Sequence, residues 1–149
     1  MCGMKIRYFI VLAGMLFMLA CSDKNLQVEP LFTNDFPQTW KLMKMTGGMQ
    51  PTVFAGEEME WQEKYIFNAD STFTKIRYTD GDTLSVSGSY IFTEENGDQA
   101  FLLSYREQND LIGSCTPLEE YLYFDSDKDN LFSNWWACDG PGLFYKRVD

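Results

Sequence analysis

Apolar and polar side chains alternate along most of this chain, in short runs rich in aromatic and β-branched residues. In the run 61–68, Trp61, Glu63, Tyr65 and Phe67 share one face, and the intervening residues share the other. A period of two residues is typical of a β-strand with one face in the core. The pattern predicts eight strands, at 39–45, 61–68, 72–79, 83–93, 100–106, 120–125, 130–137 and 143–148.

Clusters of Asn, Asp, Gly and Ser separate these runs, notably at 68–71, 80–82 and 95–98. Such residues tolerate the positive φ of tight turns, so neighbouring strands are expected to pair in sequence as hairpins. Gly88 interrupts the fourth run and predicts a bulge or a sharp bend there. The acidic stretch 56–61 is the one candidate for a helical turn, and helix content is expected to be low.

The pattern therefore predicts an all-β fold. Two architectures satisfy it, a single antiparallel up-and-down β-barrel of about eight strands and a two-sheet β-sandwich. Both avoid the exposed strand edges that consecutive hairpins would otherwise leave. The spacing of the runs does not separate the two.

The first residues differ in character, with Lys5 and Arg7 preceding an apolar run from 8 to 20. A basic start followed by a short apolar run predicts an export signal over 1–20, because a membrane-spanning helix needs a longer run. The residues MLACS around Cys21 resemble the lipobox of bacterial lipoproteins. That resemblance implies cleavage before Cys21 and lipidation of its thiol.

The polar stretch that follows predicts a flexible tether over 21–36, leaving 37–149 as one domain. Attachment to the membrane is then expected through the lipid anchor only. The expected location is the outer membrane, on its periplasmic or its cell-surface face.

Charge and composition remove several classes of function. The chain holds 22 acidic and 12 basic residues, and its formal net charge of −10 argues against a nucleic-acid partner. It has no His, which excludes His-ligated metal sites and nucleophile–His pairs. No catalytic residue, metal site or cofactor is therefore predicted. An enzyme that uses carboxylates alone would need two acids converging in a pocket.

Two cysteines remain once Cys2 and Cys21 are assigned to the signal and the lipid site. Export exposes Cys115 and Cys138 to an oxidising compartment, which predicts a disulfide between them. The rival interpretation, a metal or redox pair, lacks the CxxC spacing and the nearby His typical of such sites.

Four motifs in order resemble the small lipocalin-like lipoproteins of the Bacteroidetes type. They are TWKL at 39–42, YIFNADSTF at 65–73, GSY at 88–90 and LFYKR at 143–147. The resemblance implies a calycin-like barrel over 37–149. It also implies that Trp40 packs under the barrel floor against the guanidinium of Arg147, a structural contact that closes the barrel.

The leading hypothesis is a noncatalytic envelope lipoprotein that binds a small apolar or amphipathic molecule inside the barrel. The expected lining is Trp61, Tyr65, Tyr90 and Tyr105. The alternative is an interaction module with a filled barrel that meets a protein or a glycan through surface aromatic residues. Trp135 and Trp136 suit that role, because adjacent residues on a strand point to opposite faces.

Overall fold

A computed structural model describes residues 35–47 and 52–148. The predicted export signal 1–20, the lipidation site Cys21 and all but the last two residues of the predicted tether 21–36 lie outside the described residues.

The described chain is built of β-strands. Alternating burial defines the strands: in β3, for example, Glu63, Tyr65 and Phe67 are buried and their neighbours are half-buried. The nine strands are β1 (Gln38–Thr46), β2 (Val53–Ala55), β3 (Gln62–Phe67), β4 (Thr72–Thr79), β5 (Asp82–Glu95), β6 (Asp98–Tyr105), β7 (Glu119–Phe124), β8 (Asn130–Ser133) and β9 (Leu143–Arg147).

Eight of these strands form a closed antiparallel barrel. From β3 to β9 each strand pairs with the next, while β1 pairs with β3 on one edge and with β9 on the other. The short β2 extends the sheet by pairing with the end of β1. The prediction of an all-β barrel of about eight strands is confirmed, and the sandwich alternative is excluded.

Strand β5 changes partner around Gly88. Residues up to Ser89 pair with β4, and residues from Gly88 onward pair with β6. A Cβ atom on Gly88 would lie 2.2 Å from the backbone oxygen of Ser104 and 2.7 Å from the Phe73 ring. Only glycine permits this approach. Both pairings keep an unbroken register through Gly88, so the predicted bulge does not form there.

One end of the barrel interior is filled by aromatic rings. Phe67 lies 4.5 Å from Phe101 and 4.9 Å from Tyr90, measured between ring centroids, and Phe101 lies 4.9 Å from Phe124. Many of these pairs meet edge to face, the geometry that aromatic quadrupoles favour.

The closing strand pair contains both residues expected to close the barrel. Trp40 and Arg147 are directly paired across β1 and β9, and Trp40 is fully buried. The Trp40 indole nitrogen donates to Gln38 Oε1 at 3.3 Å, and Arg147 Nη2 donates to the Asp35 carbonyl at 3.2 Å.

The predicted strand 130–137 is wrong beyond Ser133. Residues Trp135–Cys138 form a 3-10 helix, which Asp139 ends in the left-handed conformation with φ of 68°. The argument that adjacent tryptophans on a strand face opposite sides therefore does not apply. Trp135 is nevertheless half-buried against the core, and Trp136 is 63% exposed.

The acidic candidate for a helical turn does form one, a 3-10 helix at Gly56–Glu58. Within the described ranges, no helix has the length and apolar character needed to cross a membrane.

Candidate functional site

Four charged side chains point into the barrel and are buried there. Glu63 lies on β3, Lys75 and Arg77 lie on β4, and Glu120 lies on β7, all at inward positions of their strands. Together with Tyr65, Tyr105 and Tyr145 they form what we call the interior polar cluster.

Lys75 connects the two carboxylates of this cluster. Its Nζ atom lies 3.1 Å from Glu120 Oε1 and 3.4 Å from Glu63 Oε1. The same ammonium lies 4.9 Å from the ring centroid of Tyr65. Arg77 Nε donates to Glu63 Oε2 at 2.7 Å. The cluster thus pairs two carboxylates with two cationic side chains, and their charges balance.

Tyrosine hydroxyls complete the coordination of the carboxylates. Tyr145 donates to Glu63, and Tyr105 donates to Glu120. Burial raises the pKa of Tyr65, Tyr105 and Tyr145 well above its usual range, and the nearby carboxylates raise it further. These phenols therefore stay protonated at neutral pH. Those of Tyr105 and Tyr145 donate to the carboxylates, whereas the buried Tyr65 hydroxyl has no hydrogen-bond partner among the described residues.

Two donors at one end of the cluster lack a hydrogen-bond partner among the described residues. They are Arg77 Nη2 and the indole nitrogen Nε1 of Trp61. The guanidinium carbon of Arg77 lies 4.3 Å from the centroid of the Trp61 ring, and the two residues are only 8% and 9% exposed. Buried donors without acceptors are costly, so this end of the cluster is chemically incomplete.

Two segments, 110–113 and 135–140, lie over this end of the barrel, and we call them the cover. The carbonyl of Asp110 accepts a hydrogen bond from Arg77 Nη1 at 3.4 Å, and Ile112 joins the core. A Cβ on Gly113 would lie 3.0 Å from Glu120 Oε1, so the cover packs directly on the interior polar cluster.

A disulfide joins the two loops that carry the cover. Cys115 and Cys138 are bonded, with their Cα atoms 5.7 Å apart, which confirms the predicted pair. Next to it, the backbone of Gly140 packs against the Trp135 ring so closely that a Cβ would lie 2.4 Å from that ring.

The structure brings together three of the four residues expected to line a ligand site. Trp61, Tyr65 and Tyr105 lie in or beside the interior polar cluster, all buried. Tyr90 lies apart among the aromatic rings, where its hydroxyl donates to the Asn68 carbonyl at 2.8 Å. All four belong to one packed core. Trp61 also lines an open cleft with Met59 and Tyr78, and Tyr105 lines another with Phe73 and Gly88.

The charged members of the cluster are not among the residues predicted to line a site. The signal was present, because Glu63 shares the apolar face of Trp61 and Tyr65, and Lys75 and Arg77 alternate with Phe73. A charged residue at an inward position of an alternating strand indicates a buried polar group that needs a partner.

A second feature lies on the outside of the barrel, around Trp136. It is a cleft of about 200 Å³, which we call the aromatic cleft. Its lining is Glu95, Asn96, Asp98, Tyr123, Phe132, Asn134 and Trp136. Trp135, the other tryptophan expected at a surface site, lies in the cover and does not line this cleft.

No group of three or more metal-ligating side chains is assembled within residues 35–47 and 52–148. Comparison of the chain with protein-family models, with curated proteins and with solved structures finds no match.

Proposed function

We propose that this protein is a noncatalytic cell-envelope lipoprotein whose lipocalin-like barrel binds a small amphipathic molecule beneath the cover. The observation that carries the proposal is the pair of buried, unpartnered donors on Trp61 and Arg77. An unsatisfied donor in a low-dielectric interior costs about 1–3 kcal/mol, which a bound acceptor would offset.

The chemistry of the free groups selects the polar end of the ligand. Both are N–H donors, so the matching group is an oxygen acceptor. A neutral acceptor such as a carbonyl or a hydroxyl suits this end, because Arg77 is already paired with Glu63. The apolar part of the ligand would lie against Met59, Leu111 and Ile112, which are buried apolar residues next to this end.

Binding without catalysis fits the state of the two carboxylates. Glu63 is engaged by Arg77, Lys75 and Tyr145, and Glu120 by Lys75 and Tyr105. A general acid or base must reach a substrate proton, and carboxylates engaged in this way are poorly placed to do so.

The test is native mass spectrometry of the full chain, purified in mild detergent from the bacterium that expresses it, followed by denaturing extraction. We expect an excess mass that is released on denaturation. The Trp61→Phe variant keeps an aromatic ring and loses the donor, so retention of the ligand should weaken about tenfold.

Trp136→Phe is the matched control, because it makes the same chemical change on the exposed surface. It should retain the ligand as the unsubstituted protein does, and thermal unfolding verifies that both variants are folded. A protein that carries no releasable mass, or a Trp61→Phe variant that retains the full amount, would contradict the proposal.

A second candidate function is an envelope interaction module that meets a protein or a glycan. Two observations favour it, the exposure of Trp136 at the aromatic cleft and the ring-filled end of the barrel interior. In that case loss of partner binding would follow Trp136→Phe and not Trp61→Phe.

A further inference from the structure

Aromatic rings form a row across the outer face of the barrel. Tyr123 on β7 pairs with Phe132 on β8, and Phe132 pairs with Phe144 on β9. The ring centroids of Tyr121 and Tyr123 are 5.8 Å apart, as are those of Tyr123 and Phe132, and both pairs are stacked. The row thus presents half-buried ring surface outside the core.

One end of this row already holds a cation. The ammonium of Lys44 lies 4.1 Å from the ring centroid of Phe144. A cation over an aromatic face is attracted by the ring quadrupole, and the geometry here is well within the effective range.

The middle of the row, Tyr123 and Phe132, borders the aromatic cleft, whose lining includes no basic side chain of the described residues. Tyr123, Phe132 and Trp136 supply ring surface, and Glu95 and Asp98 supply negative charge. The side-chain oxygen Oδ1 of Asn134, which also lines the cleft, has no hydrogen-bond partner among the described residues.

The carboxylate of Glu95 is held in place at this cleft. Tyr123 donates its hydroxyl proton to Glu95 Oε2 at 2.7 Å, across the two strands β7 and β5. A positioned carboxylate next to aromatic faces is preorganised for a positive group, since little ordering remains to be done on binding.

We propose that the aromatic cleft binds the substituted ammonium group of a soluble organic cation. The inference uses the surface site of the second candidate, with a soluble cation in place of a protein or a glycan, and is independent of the interior ligand. Ring faces, two carboxylates and an amide oxygen all favour positive charge, and the same features disfavour an anion. The volume of about 200 Å³ suits a small head group.

The test is a titration of the full chain, in detergent and labelled with ¹⁵N, with choline chloride at constant ionic strength. The indole N–H signal of Trp136 is identified by its loss from the spectrum of Trp136→Phe. We expect a saturable shift of that signal. The uncharged isostere 3,3-dimethylbutan-1-ol has the same shape and should produce no shift at the same concentrations.

Two variants test the groups named. Trp136→Ala should weaken choline binding about two- to fivefold, read from the backbone amide of Asn96. Glu95→Gln should weaken it about threefold or more. The matched controls are Ile91→Ala and Glu57→Gln, exposed residues outside the cleft lining, and they should leave choline binding unchanged.

Equal shifts from choline and from its neutral isostere would overturn the inference and leave the surface-module candidate standing. Unchanged choline binding in Trp136→Ala would also overturn the inference. If no shift of the Trp136 signal occurs with choline, the isostere or a panel of neutral oligosaccharides and peptides, both the inference and the surface-module candidate fail.

Discussion

Within the interior polar cluster, each charged side chain depends on a neighbour to remain in the barrel. Lys75 is fully buried and has two carboxylates within 3.4 Å, so its removal would leave both acids short of a counter-charge. A buried ion pair adds little net stability compared with apolar residues, but breaking one is costly. The cluster therefore adds little net stability compared with an apolar filling of the barrel.

The tyrosines of the cluster predict sensitivity to alkaline pH. Burial raises the pKa of Tyr65, Tyr105 and Tyr145 in the folded state, whereas the unfolded chain releases these protons near pH 10. The folded state thus keeps protons that the unfolded chain loses. The contribution of these tyrosines to the free energy of unfolding is therefore fully present below pH 10 and falls as the pH rises above it.

Urea unfolding at pH 8 and at pH 11 measures this loss, and absorbance at 295 nm follows phenol ionisation. We expect these three phenols to ionise only when the protein unfolds. Tyr145→Phe should reduce the dependence of stability on pH, whereas Tyr78→Phe, at an exposed position, should not. Full ionisation of all tyrosines in the folded protein would contradict the assignment.

At the scale of strands and loops, alternation was a reliable guide and local irregularity was not. The strand β4 was predicted with its observed bounds, Thr72–Thr79, because inward Phe73 and outward Thr74 follow a strict period of two. The residues after Ser133 are equally apolar, yet the chain turns there and does not continue as a strand. Close packing of Gly140 on the Trp135 ring and the Cys115–Cys138 disulfide hold this turn in place.

The candidate sites could likewise be predicted only in part, because alternation identifies inward positions on one strand and does not identify contacts between strands. Trp61 is one of the aromatic residues expected to line a site, and it lies beside the interior polar cluster. Its partner Arg77 lies on β4, the second strand of the same hairpin, where it pairs with Glu63. The predicted turn at 68–71 sets that register, but the contact of Arg77 with the Trp61 ring depends on side-chain packing that the alternation does not specify. The aromatic cleft likewise combines Glu95, Tyr123 and Trp136 from separate elements, which no local pattern connects.

Removal of the disulfide that joins the two loops of the cover is expected to lower the stability of the protein. The double variant Cys115→Ala/Cys138→Ala should lower the free energy of unfolding by about 3 kcal/mol, because the bond closes a loop of 23 residues in the unfolded chain. Thermal or urea unfolding of the full chain provides the measurement.

Hydrogen exchange distinguishes a local effect from a global one. We expect the amides of Ile112 and Gly113 to exchange faster in the double variant. The amides of β4 should keep the same ranking of protection against exchange as in the unsubstituted protein. A double variant with unchanged stability and unchanged exchange at Ile112 would show that the bond does not hold the cover in place.

For the whole molecule, the proposed lipid anchor makes one clear prediction. Cys21→Ala should abolish lipid attachment and leave an uncleaved precursor, because the thiol of Cys21 is the expected acceptor. Metabolic labelling with a tritiated fatty acid, together with the mass of the mature chain, measures both outcomes. Cys115→Ala/Cys138→Ala is the matched control and should still incorporate the label. A labelled, normally processed Cys21→Ala protein would refute the anchor.

The closing pair β1–β9 has a consequence for the order of folding. From β3 onward each strand pairs with the next strand along the chain, whereas Trp40 must find Arg147 at the far end of the domain. Pairing between distant segments carries a large loop-closure entropy and slows folding. Barrel closure is therefore expected to be the late, rate-limiting event, and a growing chain cannot complete its hydrogen-bonded ring until β9 has been synthesised.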